Sequence, residues 1–498
     1  MAHGDPEDKD DVVHVFLSGE HRPYRWDRIG DFGGRLRLLG ANSGNTLRVT
    51  GAYIGQEGVL RLGTGLSGGA TVSDRLVLEG PAASASGRTQ IQIANLGGLG
   101  AATTGNGVEV VSGLAGASTT AQTNQSAFAL ANGHVDAGAF EYRLYAADSQ
   151  GAGENWYLRT SLPAPPLPEE PALPSVPTFR PEVPLLSILP AQVQQADLAM
   201  LGTYHQRIGD DFSKSASTNS SAAALSQSWV RVVSSNLDIE QSGVARSHAD
   251  TNMSGVQAGT DLIAVDNWRA GIYVGYLKGN ADVSGNAHGT TGNVGSNDLR
   301  SNYLGAYATW MDARGMYIDS VLQGGRHNYT AHPDIDPNVS GDAYSVAASI
   351  EVGKSFALGG PWSIEPQAQL NYQEINPDDV NISGAKVRSD ARNGWVGRLG
   401  ARLKSDMVTP AGRLAPYTQV NFNHANFSDS NASFTGPAGM TKLKSSNSYD
   451  TAQLAIGSTL ALSPSISLFG ELGHTWSLGG DTSISSNVQG TLGVRGNW

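Results

Sequence analysis

Cysteine is absent from all 498 residues, which rules out a disulfide framework, a thiol nucleophile and any Cys-ligated metal centre. The same absence suits a chain that stays unfolded while it crosses an oxidising compartment, where a stray disulfide would jam it. Long apolar runs are also missing. No uncharged apolar stretch reaches the ~18 residues a membrane helix needs, and the mean hydropathy is only -0.24. The uncharged stretch Ile91 to Val108 is rich in Gly and Thr and reads as strand and corner. Basic charge is in deficit, with a net charge of -12 and no basic patch interleaved with aromatics, which argues against nucleic acid. The start, Met1-Ala-His-Gly-Asp-Pro-Glu, carries neither a basic nor an apolar segment of the kind a secretory leader requires. The chain is therefore expected to be a fragment, or to have its true start elsewhere. The acidic run Asp5 to Asp11 reads as a solvated tail rather than a Ca²⁺ site.

Glycine is abundant, 62 residues, and it punctuates a chain of strands. Strand side chains alternate between two faces. In Trp362 to Gln373, Ile364, Pro366, Ala368, Leu370 and Tyr372 share one face, and Glu365, Gln367, Gln369, Asn371 and Gln373 the other. In Gly394 to Lys404, Trp395, Leu399, Ala401 and Leu403 oppose Arg398, Arg402 and Lys404. At the end of the chain, Leu492, Val494 and Trp498 oppose Gln489, Thr491, Arg495 and Asn497. From about Ser228 the pattern repeats between Gly/Asn/Asp/Ser turns to give about twelve strands, the last ending on Trp498. An apolar wall outside and a polar lumen inside is the signature of a transmembrane barrel. Glu365, Gln367, Gln369, Asn371, Arg398, Arg402 and Arg495 are the expected lumen-facing residues, with Arg and Glu paired to offset the cost of charge near lipid.

Upstream, Val13 to Thr160 holds short β-rich runs such as Gly58-Val-Leu-Arg-Leu, Asp74-Arg-Leu-Val-Leu and Thr89-Gln-Ile-Gln-Ile. Their ~12–16-residue recurrence fits a solenoid, sandwich or barrel, and the Gly/Asn corners suit a stacked-coil solenoid best. An open coil end exposes its core, so the late aromatics Phe140, Tyr142, Trp156 and Tyr157 are expected to cap it. Leu162 to Pro184 contains nine prolines, an extended spacer. Ala191 to Ile208 then reads as a helix of about 27 Å, too polar to face lipid. Periodicity alone leaves open a surface helix or a helix inside a polar lumen.

Gly51-Ala-Tyr-Ile-Gly, Ser73-Asp-Arg-Leu-Val-Leu, Asn155-Trp-Tyr-Leu-Arg, Phe179-Arg-Pro-Glu-Val-Pro, Leu201-Gly-Thr-Tyr-His-Gln-Arg and Ile364-Glu-Pro-Gln-Ala-Gln-Leu occur in an order that resembles type Va autotransporters of the pertactin/AIDA type. The resemblance covers nearly the whole chain. It implies an all-β chain: a disordered acidic N-terminus (1–19), a right-handed parallel β-helix passenger stem with an autochaperone-like cap (20–161), a Pro-rich linker (162–185), a pore-spanning helix (186–212) and a 12-stranded translocator barrel (213–498). It further implies a monomer in the bacterial outer membrane that exports and displays its own passenger. Its partners would be outer-membrane lipid, periplasmic chaperones and the barrel-assembly machinery, which reads Leu492, Val494 and Trp498, with Gly496 where a bulkier residue is common. The alternative is a surface adhesin or virulence factor whose passenger binds host ligands. No Asn-Asn pair lies between Pro184 and Phe212, so cleavage in the pore helix is not implied.

No enzyme, cofactor or metal is expected. Gly65-Leu-Ser-Gly-Gly matches G-x-S-x-G, but Ser67 lacks the strand–elbow–helix setting and reads as a solenoid corner; an esterase is a distant third reading. The eleven histidines form no close ligand pair in sequence. His205 is expected to make an ordinary polar contact.

Overall fold

A computed structural model describes residues 12–16, 24–26, 29–39, 44–66, 72–96, 100–161, 178–210, 226–390, 392–436, 439–445 and 447–498. The acidic run to Asp11, Ser67 and residues 162–177 of the Pro-rich segment lie outside them.

The stem is two sheets of stacked parallel strands. Leu36, Leu60 and Ile91 stand in register on one sheet, and Leu47, Leu76 and Val111 on the other. All six side chains are buried. Each coil thus hands its apolar face to the next, the reason a solenoid coil cannot fold alone. Val12–Phe16, expected within a disordered tail, forms a parallel strand on Arg35–Leu39, because that edge offers unpaired backbone groups. At the far end the pairing turns antiparallel: Phe140–Ala146 pairs with Trp156–Arg159, which pairs with Val108–Leu114. This reversal closes the stack.

Twelve long antiparallel strands form the second body: Gln227–Gln241, His248–Val265, Trp268–Ala287, Thr290–Met311, Met316–Pro333, Val339–Lys354, Trp362–Pro377, Arg392–Ser405, Gly412–Phe427, Tyr449–Ser463, Ile466–Gly480 and Thr482–Asn497. The first pairs with the last from Gln227↔Asn497 to Gln241↔Thr482, so the sheet is closed and has no edge. Short pieces at Phe356–Gly359 and Met407–Thr409 extend two hairpins of the same sheet. All twelve strands read from the alternation are present. They run to 22 residues, longer than the ~9–11 that lipid requires, because one end of the wall continues beyond the apolar band. Val380–Ile382, Ala385–Ser389, Ser430–Gly436 and Gly439–Ser445 pair into a small sheet standing on that end.

Among the described residues no helix is long and apolar enough to cross a membrane. Two helices, α1 (Glu182–Leu201) and α2 (Tyr204–Ile208), fill the barrel. The expected start after Pro190 is corrected. Pro184 falls in the first turn, where a missing N–H costs nothing. Pro190 is tolerated inside the helix because packing against the lumen wall offsets the lost hydrogen bond.

Candidate functional site

Helix α1 begins where Glu182 accepts from Nε and Nη2 of Arg180, two residues before it, at 2.9 and 2.7 Å, a carboxylate in the first turn complementing the helix dipole. It lies against the first seven barrel strands, most closely the third, fourth and fifth. Lumen side chains reach its backbone and polar face. Asn297 donates to the Leu185 carbonyl (2.9 Å) and to Gln192 (3.1 Å), and Arg231 and Gln257 donate to the Met200 carbonyl (2.6 and 2.9 Å). Buried Asp197 faces His327 at 3.4 Å, and the ring is held by Ser301 and Ser345 at 2.8 Å each.

The expected unbroken helix to Ile208 is also corrected: the chain turns at Gly202, φ 61°. A Cβ there would sit 2.8 Å from an Arg231 guanidinium nitrogen, so both the backbone angle and the close approach demand glycine. Thr203 then caps α2 in a reciprocal box with Gln206.

Below the turn the lumen is charged and paired. Arg402 grips Asp210 at 2.8 and 2.6 Å, with Lys404 at 3.4 Å from the same carboxylate and 3.2 Å from Glu365. His205 meets Glu365 at 2.7 Å, Arg207 meets Asp319 at 2.5 Å, and Gln206 donates to Glu471 at 2.7 Å. Arg495 donates to the carbonyls of Ile208 (2.9 Å) and Asp210 (3.0 Å). Arg398 binds Gln369, Gln367 and Asn421 and lies 3.2 Å from Glu351. Glu365, Gln367, Gln369, Asn371, Arg398, Arg402 and Arg495 are all buried in this lumen. Glu365, Arg402 and Arg495 meet α2 and the segment after it, whereas Arg398, Gln367 and Gln369 bond to one another. Beside the C-terminal half of α1 a polar cavity of about 190 Å³ remains, lined among others by Gln195, Arg231, Arg398, Gln453, Glu471 and Gln489.

Leu492, Val494 and Trp498 face outward, 63, 47 and 68% exposed, beside the closing seam. The Trp498 backbone N–H donates to the Ser226 carbonyl at 2.9 Å and its indole to Ser228 Oγ at 3.1 Å. Phe140, Tyr142, Trp156 and Tyr157 are buried in the stem cap. Trp156 packs edge-on against Phe128 and donates to Thr119 Oγ1 at 3.0 Å. Tyr142 both accepts from and donates to Ala101 backbone at 2.9 Å.

The stem sits on the mouth built by the turns after the third, fifth, seventh and ninth strands. Arg180 donates to the Ser383 carbonyl (2.6 Å), Thr441 to the Gly100 carbonyl (3.2 Å), and the His288 backbone N–H to the Phe179 carbonyl (3.0 Å). His288 bonds Glu141 of the stem and lies 3.5 Å from Asp334. The Glu141 bond raises the His288 pKa against the opposing effect of burial. Burial opposes ionisation of Glu141, but His288 and Arg143 together outweigh it and its pKa falls. Beside them His134, Asp136 and Asp336 bring ligand-type atoms within 4.8 Å of one another. Asp336 is pushed up to about 6, by burial first and then by the Glu182 and Asp136 carboxylates. Arg180, 3.7 Å from Asp136, supplies cationic charge to this cluster. No close His/Asp grouping was legible in the sequence, because Asp336 is about two hundred residues from the other two.

Two family models match the chain, the autotransporter beta-domain over residues 228–473 and the autochaperone domain type 1 over residues 35–144. The chain is 30% identical over 488 residues to the adhesin BmaC autotransporter of Brucella suis, covering 91% of this chain and 14% of that protein. It is 27% identical over 501 residues to the uncharacterized protein YdeU of Escherichia coli, covering 92% and 99%. It is 26% identical over 229 residues to the pertactin autotransporter of Bordetella bronchiseptica, covering 44% and 24%. It thus spans nearly all of YdeU but only a minor part of the other two.

Proposed function

The chain belongs to the autotransporter family, and on that premise we propose that it exports and displays its own N-terminal β-helix passenger through the outer membrane. One observation carries the reading. The polypeptide comes from a stem seated on one mouth, threads the lumen as α1 and α2, and becomes the first barrel strand at the opposite mouth. A passenger drawn through its own barrel would leave this topology behind. In this reading the barrel lies in the outer membrane with the stem at the cell surface. Residues 12–161 are the passenger stem, 162–181 the spacer, 182–210 the pore segment and 211–498 the translocator.

Exposed Leu492, Val494 and Trp498 form the stripe that the barrel-assembly machinery reads after periplasmic chaperones deliver the chain. The protein acts as a monomer, and no chemistry is assigned to it. A second reading, a surface adhesin whose passenger binds host ligands, is favoured by the likeness to a relative named as an adhesin; this chain's ligand would then be carried by its passenger.

The test is display itself. An epitope placed at exposed Ser149 in the stem should be stripped by protease added to intact cells. Trp498→Asp should abolish both the surface signal and the outer-membrane barrel. An epitope that stays protected until cells are broken, in a chain that is otherwise folded, overturns export.

A further inference from the structure

On the outer wall of the third strand the side chains read Trp268, Ala270, Ile272, Val274 and Tyr276 from the stem-free end, and then Lys278. Across the ladder Lys278 stands directly opposite Arg300 of the fourth strand, and both are exposed. On the fifth strand Arg326 is opposite Asn302, a diagonal neighbour of Arg300 at ~7–8 Å. Three cations therefore occupy three adjacent strands immediately above the apolar band. They lie at the level of Tyr276 and Tyr344, the kind of ring that settles at headgroup depth. Among the described residues of the twelve strands, outward-facing Lys or Arg above the band occurs on these three strands alone; Lys354 lies at the opposite end of its strand.

Like charges directly opposite one another destabilise a strand pair, and the adjoining lipid offers them no solvation. Of the nearby carboxylates, Asp342 pairs with Arg326, and neither it nor Asp298 pairs with Lys278 or Arg300. Asp298 faces His332 at 3.5 Å, and Asp342 accepts from Asn328 while lying 3.9 Å from Arg326. Arg326 also stands over the Tyr344 ring at 5.9 Å. Lys278 and Arg300 have no ion-pair partner among the described residues. A guanidinium fork beside an ammonium suits a phosphate, which accepts both at once.

We propose that Lys278, Arg300 and Arg326 form a binding site for the phosphorylated headgroup of an outer-leaflet glycolipid, anchoring the barrel at the stem-bearing end. The proposal rests on the outer-membrane reading above. The acyl chains would lie along Val274, Leu304 and Leu322, which are 58, 63 and 58% exposed below the cations.

Native mass spectrometry of the full chain in detergent, titrated with diphosphorylated lipid A or with the same lipid stripped of its phosphates, tests the site. Lys278→Gln/Arg300→Gln/Arg326→Gln should bind the phosphorylated lipid about tenfold more weakly than the parent, and Lys354→Gln should bind as the parent does. The dephosphorylated lipid should not distinguish parent from triple variant. Heat-modifiable migration on gels certifies that each variant is folded; if the triple variant fails that check, Lys278→Gln alone should still weaken binding severalfold. Equal binding of the phosphorylated lipid by folded parent and variant overturns the proposal. So does full displacement of the lipid by excess inorganic phosphate, which would mark a free-anion site. A parent chain that is not heat-modifiable fails the outer-membrane reading instead.

Discussion

At the residue scale, period-2 alternation tells which side chains enter the lumen but not what they meet there. Arg402 was legible as inward-facing; Asp210, its partner 192 residues away, was not, because only the closed barrel brings them together. Removing one member of a buried ion pair strands the other, at ~3–5 kcal/mol. Lys404, 3.4 Å from Asp210, recovers part of this, so Arg402→Ala should cost about 3 kcal/mol and lower the temperature at which the folded band converts to the unfolded one on gels. An unchanged conversion temperature would show that Lys404 suffices. In the stem cap, Trp156→Ala removes a buried ring packed on Phe128, a loss of ~3–5 kcal/mol. The barrel should stay inserted while the stem becomes protease-sensitive; equal resistance in variant and parent would remove Trp156 from the cap. Gly496 is different. A Cβ there meets nothing nearer than 3.9 Å, so Gly496→Phe should fold and insert at least as well as the parent, measured by outer-membrane yield.

At the element scale, the pore helix was readable as a polar helix of about the right length, but its ends were not. Prolines at 184 and 190 signal a boundary in an isolated peptide, whereas the lumen wall supplies the packing that lets α1 start at Glu182. Because α1 and α2 occupy the lumen, deleting residues 182–208 should convert a plugged barrel into a conducting one. Planar-bilayer conductance that does not rise would refute the plug. The stem–mouth junction predicts a pH dependence. His288, its pKa raised by Glu141, contributes to docking fully below its ordinary pKa and loses that contribution as pH rises through the raised one. Asp336, pushed up to about 6 by burial and by Glu182 and Asp136, acts in the same direction, since its ionisation above that pH works against docking. Amide exchange across residues 134–143 should therefore speed up as pH rises above about 6, beyond the intrinsic rate increase, and His288→Gln should flatten the response. Protection independent of pH would show that the backbone contacts alone hold the stem.

At the scale of the whole molecule, the sequence carries its class in repetition. One alternating strand fits a sandwich as well as a barrel; twelve in succession, ending on an outward aromatic, fit a closed wall. How the stem seats on the mouth was not legible, because the contacts of Glu141, Arg180 and Gly100 with barrel turns join segments 147 to 341 residues apart. Closure by the first and last strands leaves no edge in lipid, where each unpaired backbone group would cost several kcal/mol. The unboiled chain should accordingly migrate apart from the boiled one in SDS. The absence of cysteine makes the decisive measurement simple. A single cysteine replaces either Ser149 in the stem or Ser465 in the turn at the opposite mouth, both exposed, and intact cells are treated with a membrane-impermeant maleimide. Labelling of Ser149→Cys in intact cells, with Ser465→Cys labelled only after the outer membrane is permeabilised, is the predicted result. Labelling of both sites or of neither in intact cells, or the reverse order, would contradict a stem exported through its own barrel.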